Sequence, residues 1–168
     1  MDRLIPLLDW LEHTPLAVAI AQSTWAFPAI ETVHVIALTL TIGTVLVLDL
    51  RLLGLASLQH PYVAIRRDVQ PWTWAAFGFA VVSGSLMFIS QASEYFANTA
   101  FRIKLVLLAL AGLNMLSFEL IIRRRAAACE KGSAPWPGRI AALLSLVFWI
   151  AIVFFGRRIG FTMGPGEN

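Results

Sequence analysis

The chain has 168 residues, of which 58% are hydrophobic and 14% charged, with a formal net charge of +3 and a mean hydropathy of +0.75. Soluble domains carry about 25% charged residues, so the composition excludes an ordinary water-soluble domain and predicts an integral membrane protein. A single cysteine, Cys129, excludes an intrachain disulfide, a CxxC metal knuckle and a CxxCH haem-attachment motif.

The first stretch, LIPLLDWLEHTPLAVAIAQSTW, places Leu4, Leu7, Leu8 and Leu11 at helical spacing with Asp9, Glu12 and His13 between them. Over residues 3–22 this pattern predicts an amphipathic helix lying in the membrane interface. The same charges, with Pro15 and no basic segment ahead of them, are not the pattern of a signal peptide. Four apolar stretches follow, at about 27–50, 71–92, 101–122 and 139–155, to be set against the roughly 20 residues that cross a hydrocarbon core. The expected fold class is therefore all-α: one transmembrane domain over 1–168, a four-helix bundle with an N-terminal interfacial helix.

Basic residues in short loops orient such a bundle. Arg51, Arg66 and Arg67 follow the first span, and Arg123, Arg124, Arg125 and Lys131 follow the third, whereas SQASEYFANT between the second and third has none. Both basic connections are expected in the cytoplasm and both termini outside, in the periplasm if the membrane is a bacterial inner membrane. Arg157 and Arg158 after the fourth span run against this pattern. Residues 132–138, GSAPWPG, read as a turn-rich linker.

The first span, ETVHVIALTLTIGTVLVLDLRLLG, carries four polar residues that hydrocarbon disfavours. Glu31 and Asp49 share a face about 27 Å apart at about 1.5 Å per residue. Asp49 and Arg51 are expected to reach headgroups, and Glu31 lies near the opposite boundary. His34 falls about 10 Å below that boundary, too deep for such an escape. In the third span, FRIKLVLLALAGLNMLSFELIIRRR, Lys104, Met115 and Glu119 share one stripe. If spans one and three are neighbours, Glu31, His34 and Lys104 form an outer cluster, with a Glu31–Lys104 pair, and Asp49, Arg51, Glu119 and Arg123 an inner one.

Two readings of His34 stand side by side. In one it is a neutral core imidazole bonded to Glu31 or to a backbone carbonyl. In the other it is a ligand, with Glu31 one turn away fixing its tautomer. A single imidazole can serve haem b, with Met87, Met115 or Lys104 on the other side, or join methionine sulfur around Cu(I). His13 could complete a histidine pair only by folding back over the outer cluster. Ser83, Gly84, Ser85, Gly112, Asn114 and Ser117 are read as helix-packing residues, and Lys104 and Arg102 can equally snorkel to the interface.

The combination of ExxH and DLRLLG in span one, PW opening span two, and FRIK with AGLN in span three resembles an uncharacterised family of small bacterial four-helix membrane proteins, over roughly residues 25 to 120. More distantly, His34 with Lys104 is similar to the pattern of the copper-resistance protein CopD and of HemJ, the haem-associated protoporphyrinogen oxidase. The resemblance implies a haem or copper site; the chain lacks the further membrane histidines of both groups.

The leading expectation is a small membrane protein with a haem-b or metal site near the outer side of the bilayer, exchanging electrons with a quinone or a larger membrane complex. The alternatives are a non-catalytic accessory subunit whose polar residues pack its helices against a larger membrane complex, and a copper transport component; a homo-oligomer is compatible with each. No nucleotide loop, nucleophile–base motif or metalloprotease helix is present, which leaves any enzymatic role undefined. The positive charge fits contact with anionic lipid and not with nucleic acid.

Overall fold

The computed structural model describes residues 5–125 and 136–162, apart from the side chains of Glu119 and of residues 121–125. Among the described residues there are seven helices and no strand: α1 (Ile5–Glu12), α2 (Pro15–Gln22), α3 (Ala26–Leu53), α4 (Tyr62–Ser90), α5 (Ala92–Ala97), α6 (Thr99–Arg125) and α7 (Trp136–Thr162). Four of them, α3, α4, α6 and α7, are long and apolar enough to cross a membrane. The all-α, multi-span architecture is the one the apolar stretches predict.

Two boundaries differ from expectation for identifiable reasons. The single interfacial helix is two helices, broken at Thr14–Pro15. Pro15 cannot continue α1, because its ring removes an N–H and disfavours helical backbone in the residue before it. It instead starts α2, with Thr14 extended and its hydroxyl accepting from the Ala17 N–H at 3.4 Å. The second helix starts nine residues ahead of the apolar stretch, at Tyr62, and passes straight through Pro71. An apolar run marks where the chain crosses lipid; the polar turns YVAIRRDVQ carry the helix beyond it.

The bundle is built from two tight pairs, α3 with α4 and α6 with α7, joined by α3 against α7. Helices α3 and α6 thus stand diagonally and are not the neighbours that the outer and inner clusters presumed. Asn114 of α6 anchors one pair by donating to the Ala141 carbonyl of α7 at 2.9 Å. Asn98 caps α6 by accepting from the Ala100 and Phe101 N–H groups, and donates to the Thr162 hydroxyl at 2.7 Å, holding the end of α7 to the start of α6. Helix α1 rests on α5 and α4, and α2 on α4 and α3. The Glu12 carboxylate accepts from the Ser93 N–H at 2.6 Å, clasping α1 to α5.

The surface is far more apolar than that of a soluble protein, and the interior takes in some large polar groups. The largest fully buried side chains are Arg51, Ile152 and Thr41, while Val35, Ile36, Val82, Val106 and Ile150 are each more than half exposed. In water that surface would be an aggregation patch; in a bilayer, lipid chains solvate it and the interior keeps the polar groups. Each end has its own apolar plug. At the α5 end Tyr95, Ala100 and Ile159 pack with Phe88, Phe101 and Phe155, and Phe88 stacks on Phe101 at 5.5 Å. At the other end Leu52, Leu53, Tyr62 and Ala142 pack with Leu48, Phe118 and Leu146. There α3 closes on Gly54, whose φ of 77° is left-handed, with Leu55 N–H reaching back to the Leu50 carbonyl at 2.9 Å.

Candidate functional site

His34 sits on α3 where that helix meets α4, half-buried. Its Nδ1 lies 3.0 Å from the Ser83 hydroxyl oxygen. The Ser83 hydroxyl donates to the Phe79 carbonyl at 2.6 Å, which uses its only proton. Ser83 therefore accepts from Nδ1–H, and this network assigns the ring proton to Nδ1 and the lone pair to Nε2. The Ala80 backbone of α4 also lies within hydrogen-bonding reach of the ring. In the tautomer that Ser83 favours, Nε2 carries the lone pair that a metal or a proton would use.

Gly84 makes this placement possible. A Cβ there would stand 2.9 Å from His34 Cε1, closer than carbon atoms pack, and 3.4 Å from Nδ1. The adjacent Ser83 and Gly84 thus supply an acceptor and a space for one ring. Both belong to the set expected to serve helix packing; the serine also fixes the tautomer, the part expected of Glu31. A signal was present in the mid-span SGS, but nothing in the sequence aligns it with His34.

Lys104 enters from α6, half-buried, with its ammonium 3.4 Å from where a Gly156 Cβ would lie on α7. Its charge acts on the His34 ring. Among the described residues no carboxylate pairs with it. The expected Glu31–Lys104 pair is not formed, because α3 and α6 are diagonal: Lys104 faces α7, whereas Glu31 is exposed and acts on Tyr95 of α5. Burial, then Glu31 and then Glu94, hold the Tyr95 phenol above its ordinary range.

The remaining candidates separate. Met87 is half-buried on α4, one turn from Ser83. Met115 is 40% exposed and lies about 16 Å along α6 from Lys104, so the structure does not bring it to His34. His13 is exposed at the junction of α1 and α2, 2.7 Å from the Asp9 carbonyl. That bond, and after it the Asp9 carboxylate, raises the His13 pKa; the ring is exposed and does not fold back over His34.

The inner cluster also divides. Asp49 and Arg51 do not reach headgroups; they are 6% and 2% exposed. Residues two apart on a helix point to different sides, and accordingly the Asp49 carboxyl faces Ser145 of α7 while Arg51 Nε donates to the His60 carbonyl at 3.0 Å. The side chains of Glu119 and Arg123 lie outside the described residues. Ser145 has no signal in the sequence beyond being a serine in an apolar helix.

Among the described residues no three His, Cys, Asp or Glu side chains gather where they could hold an ion. The lone-pair donors available at the His34 site are one imidazole nitrogen and, a turn from Ser83, the Met87 thioether, with the Lys104 ammonium as a nearby positive charge. No curated protein and no solved structure matches the chain. A family match does cover residues 10–162, nearly the whole bundle including His34, Ser83 and Lys104, and the chain accordingly belongs to the family of unknown function DUF6644.

Proposed function

We propose that this membrane protein binds haem b through His34 and uses it to pass electrons to or from a quinone or a larger membrane complex. The observation that carries the reading is the pairing of a half-buried His34 ring, oriented by the Ser83 hydroxyl, with a half-buried Lys104 ammonium that has no carboxylate partner among the described residues. A tetrapyrrole iron fits this donor set better than a bare divalent ion, since it asks the protein for one or two axial ligands and brings its own anionic propionates. His34 would hold the iron, and Lys104 would balance a propionate. Bound haem would supply one-electron chemistry; the chain's part is to orient the imidazole, exclude water with the Phe88, Tyr95 and Phe101 plug, and compensate charge.

Met87, one turn from Ser83, favours a second arrangement in which His34 and a thioether hold Cu(I), as a copper transport component would require. Absorption spectra and metal analysis of protein purified in mild detergent separate the two. A Soret band selects haem and stoichiometric copper selects the permease; neither selects an accessory subunit. His34→Ala should abolish bound haem or copper, Ser83→Ala should weaken binding about 10- to 100-fold, as loss of a ligand-orienting partner does, and Glu31→Gln should leave it intact. A His34→Ala protein with full occupancy and an unchanged spectrum would sink the proposal.

The bilayer orientation we propose follows the basic residues, with both termini outside and His34 in the outer half, in a bacterial inner membrane. A reporter fused near Lys131 should then read cytoplasm and one after Asn168 the outside. The reverse at both points overturns the orientation.

A further inference from the structure

Asp49 is a buried carboxyl that the His34 site does not use. It lies on α3 about 22 Å from His34 along the helix, toward the Gly54 end, and is 6% exposed. The Ser145 hydroxyl of α7 faces the carboxyl. Oδ2 is, among the described residues, the only sealed side-chain nitrogen or oxygen without a hydrogen-bond partner.

The ionisable groups around it are committed elsewhere or lie outside the description. On α3 itself, Arg51 turns to the His60 carbonyl. On α4, Arg66 is half-buried with partners of its own, and Arg67 pairs with Asp68 at 3.4 Å. Arg139 on α7 is exposed, and on α6 the side chains of Glu119 and Arg123 are not described. Among the described residues no cation forms an ion pair with Asp49.

A carboxylate has about four lone-pair sites to satisfy, and one sealed from water with a single hydroxyl partner and no cation is far costlier than the neutral acid. The acid suits this setting. Its O–H can donate to Ser145, and the other oxygen becomes a carbonyl lacking one bond, a smaller penalty than an orphaned charge. Five residues along α3, about 8 Å, the helix ends at Gly54 and the chain meets solvent through the exposed loop residues Leu55, Ser57 and Leu58.

We propose that Asp49 is a proton-binding site, a buried carboxylic acid that exchanges its proton with the aqueous side at the Gly54 end. On uptake, carboxylate and hydronium become acid and water; release is the reverse.

Dicyclohexylcarbodiimide, which adds across a protonated carboxyl to leave a stable N-acylurea, tests this on the purified full chain, with the adduct mapped by peptide mass. Asp49 should be modified at neutral pH, and its modification should fall in step with the carboxylic-acid infrared band as the pH is raised. Asp9 and Asp68, whose side chains are 69% exposed, should stay unmodified throughout. Infrared spectra should show a carboxylic-acid carbonyl band that Asp49→Asn removes. If that variant does not fold, the mapped adduct and an infrared pH titration of the unaltered chain decide alone. Absence of both adduct and band overturns the proposal. So does their suppression by sodium at constant pH, which would make Asp49 an ionised cation ligand. Because neither readout involves His34, failure here leaves the haem proposal standing, and the converse holds.

Discussion

Gly84→Leu should destroy the His34 site and cost the bundle about 3 kcal/mol, the upper end of the usual overpacking penalty. Even the Cβ of such a side chain would stand 2.9 Å from His34 Cε1. The ring cannot retreat freely, because it is tied at 3.0 Å to Ser83, whose hydroxyl is tied at 2.6 Å to the Phe79 carbonyl. Either α3 and α4 move apart or the imidazole swings out and loses the bond that defines its tautomer. Gly84→Ala should show the same defect in milder form, with ligand binding more affected than stability. Gly78 on the same helix has nothing within 4 Å of a built Cβ, so Gly78→Ala should be neutral or gain up to about 1 kcal/mol from helix propensity. Thermal unfolding in detergent and the bound-ligand spectrum read the two effects separately. Equal melting temperatures for Gly84→Leu and Gly78→Ala would mean that α3 and α4 do not approach as closely as the geometry at His34 requires.

The contrast between these two glycines also marks what the sequence could disclose. Both sit in the same apolar stretch and read alike, as small residues suited to helix packing. Only the register between α3 and α4 tells them apart, and register is a property of two segments that no single segment carries. Span existence was legible because lipid imposes a length and an apolar composition on each helix separately. His34 was legible as an anomaly for the same reason: one polar group too deep to snorkel is visible from its own helix. Its partners were not. Glu31, one turn away in sequence, was the nearest ionisable residue, yet the acceptor is Ser83 from a different helix, forty-nine residues on.

The same reasoning explains the error at the other end of α3. Asp49 and Arg51 seemed close enough to the helix end to be excused by headgroups, an inference that treats the helix as isolated. In the bundle, Tyr62 and the early turns of α4 and Ala142 of α7 close over that end, and both charges finish inside. Thr14–Pro15, by contrast, was readable: a capping threonine before a proline is a helix start, and the leucine periodicity running through it concealed the break.

Arg51 should therefore prove the most stability-sensitive charge among the described residues. It is 2% exposed, and its Nε donates to the His60 carbonyl at 3.0 Å, across the turn that begins at Gly54; it has further contacts besides. Arg51→Ala would leave that carbonyl without its donor and open a cavity the size of a long side chain beside Leu52, Leu53 and Tyr62. The cavity left by a large buried side chain, together with the lost charged hydrogen bond, gives an expected loss of about 3 to 5 kcal/mol. Arg51→Lys keeps the charge but not the planar fork that places Nε on the carbonyl, so it should recover only part of the loss. Arg67→Ala is the matched control: its side chain is 83% exposed and its pair with Asp68 is at the surface, so its cost should stay within about 1 kcal/mol. Unfolding in detergent measures all three, and proteolysis of the 54–61 turn should accelerate only in the Arg51 variants. An Arg51→Ala protein that melts with Arg67→Ala and resists cleavage there would show that the buried guanidinium does not hold this end of the bundle shut.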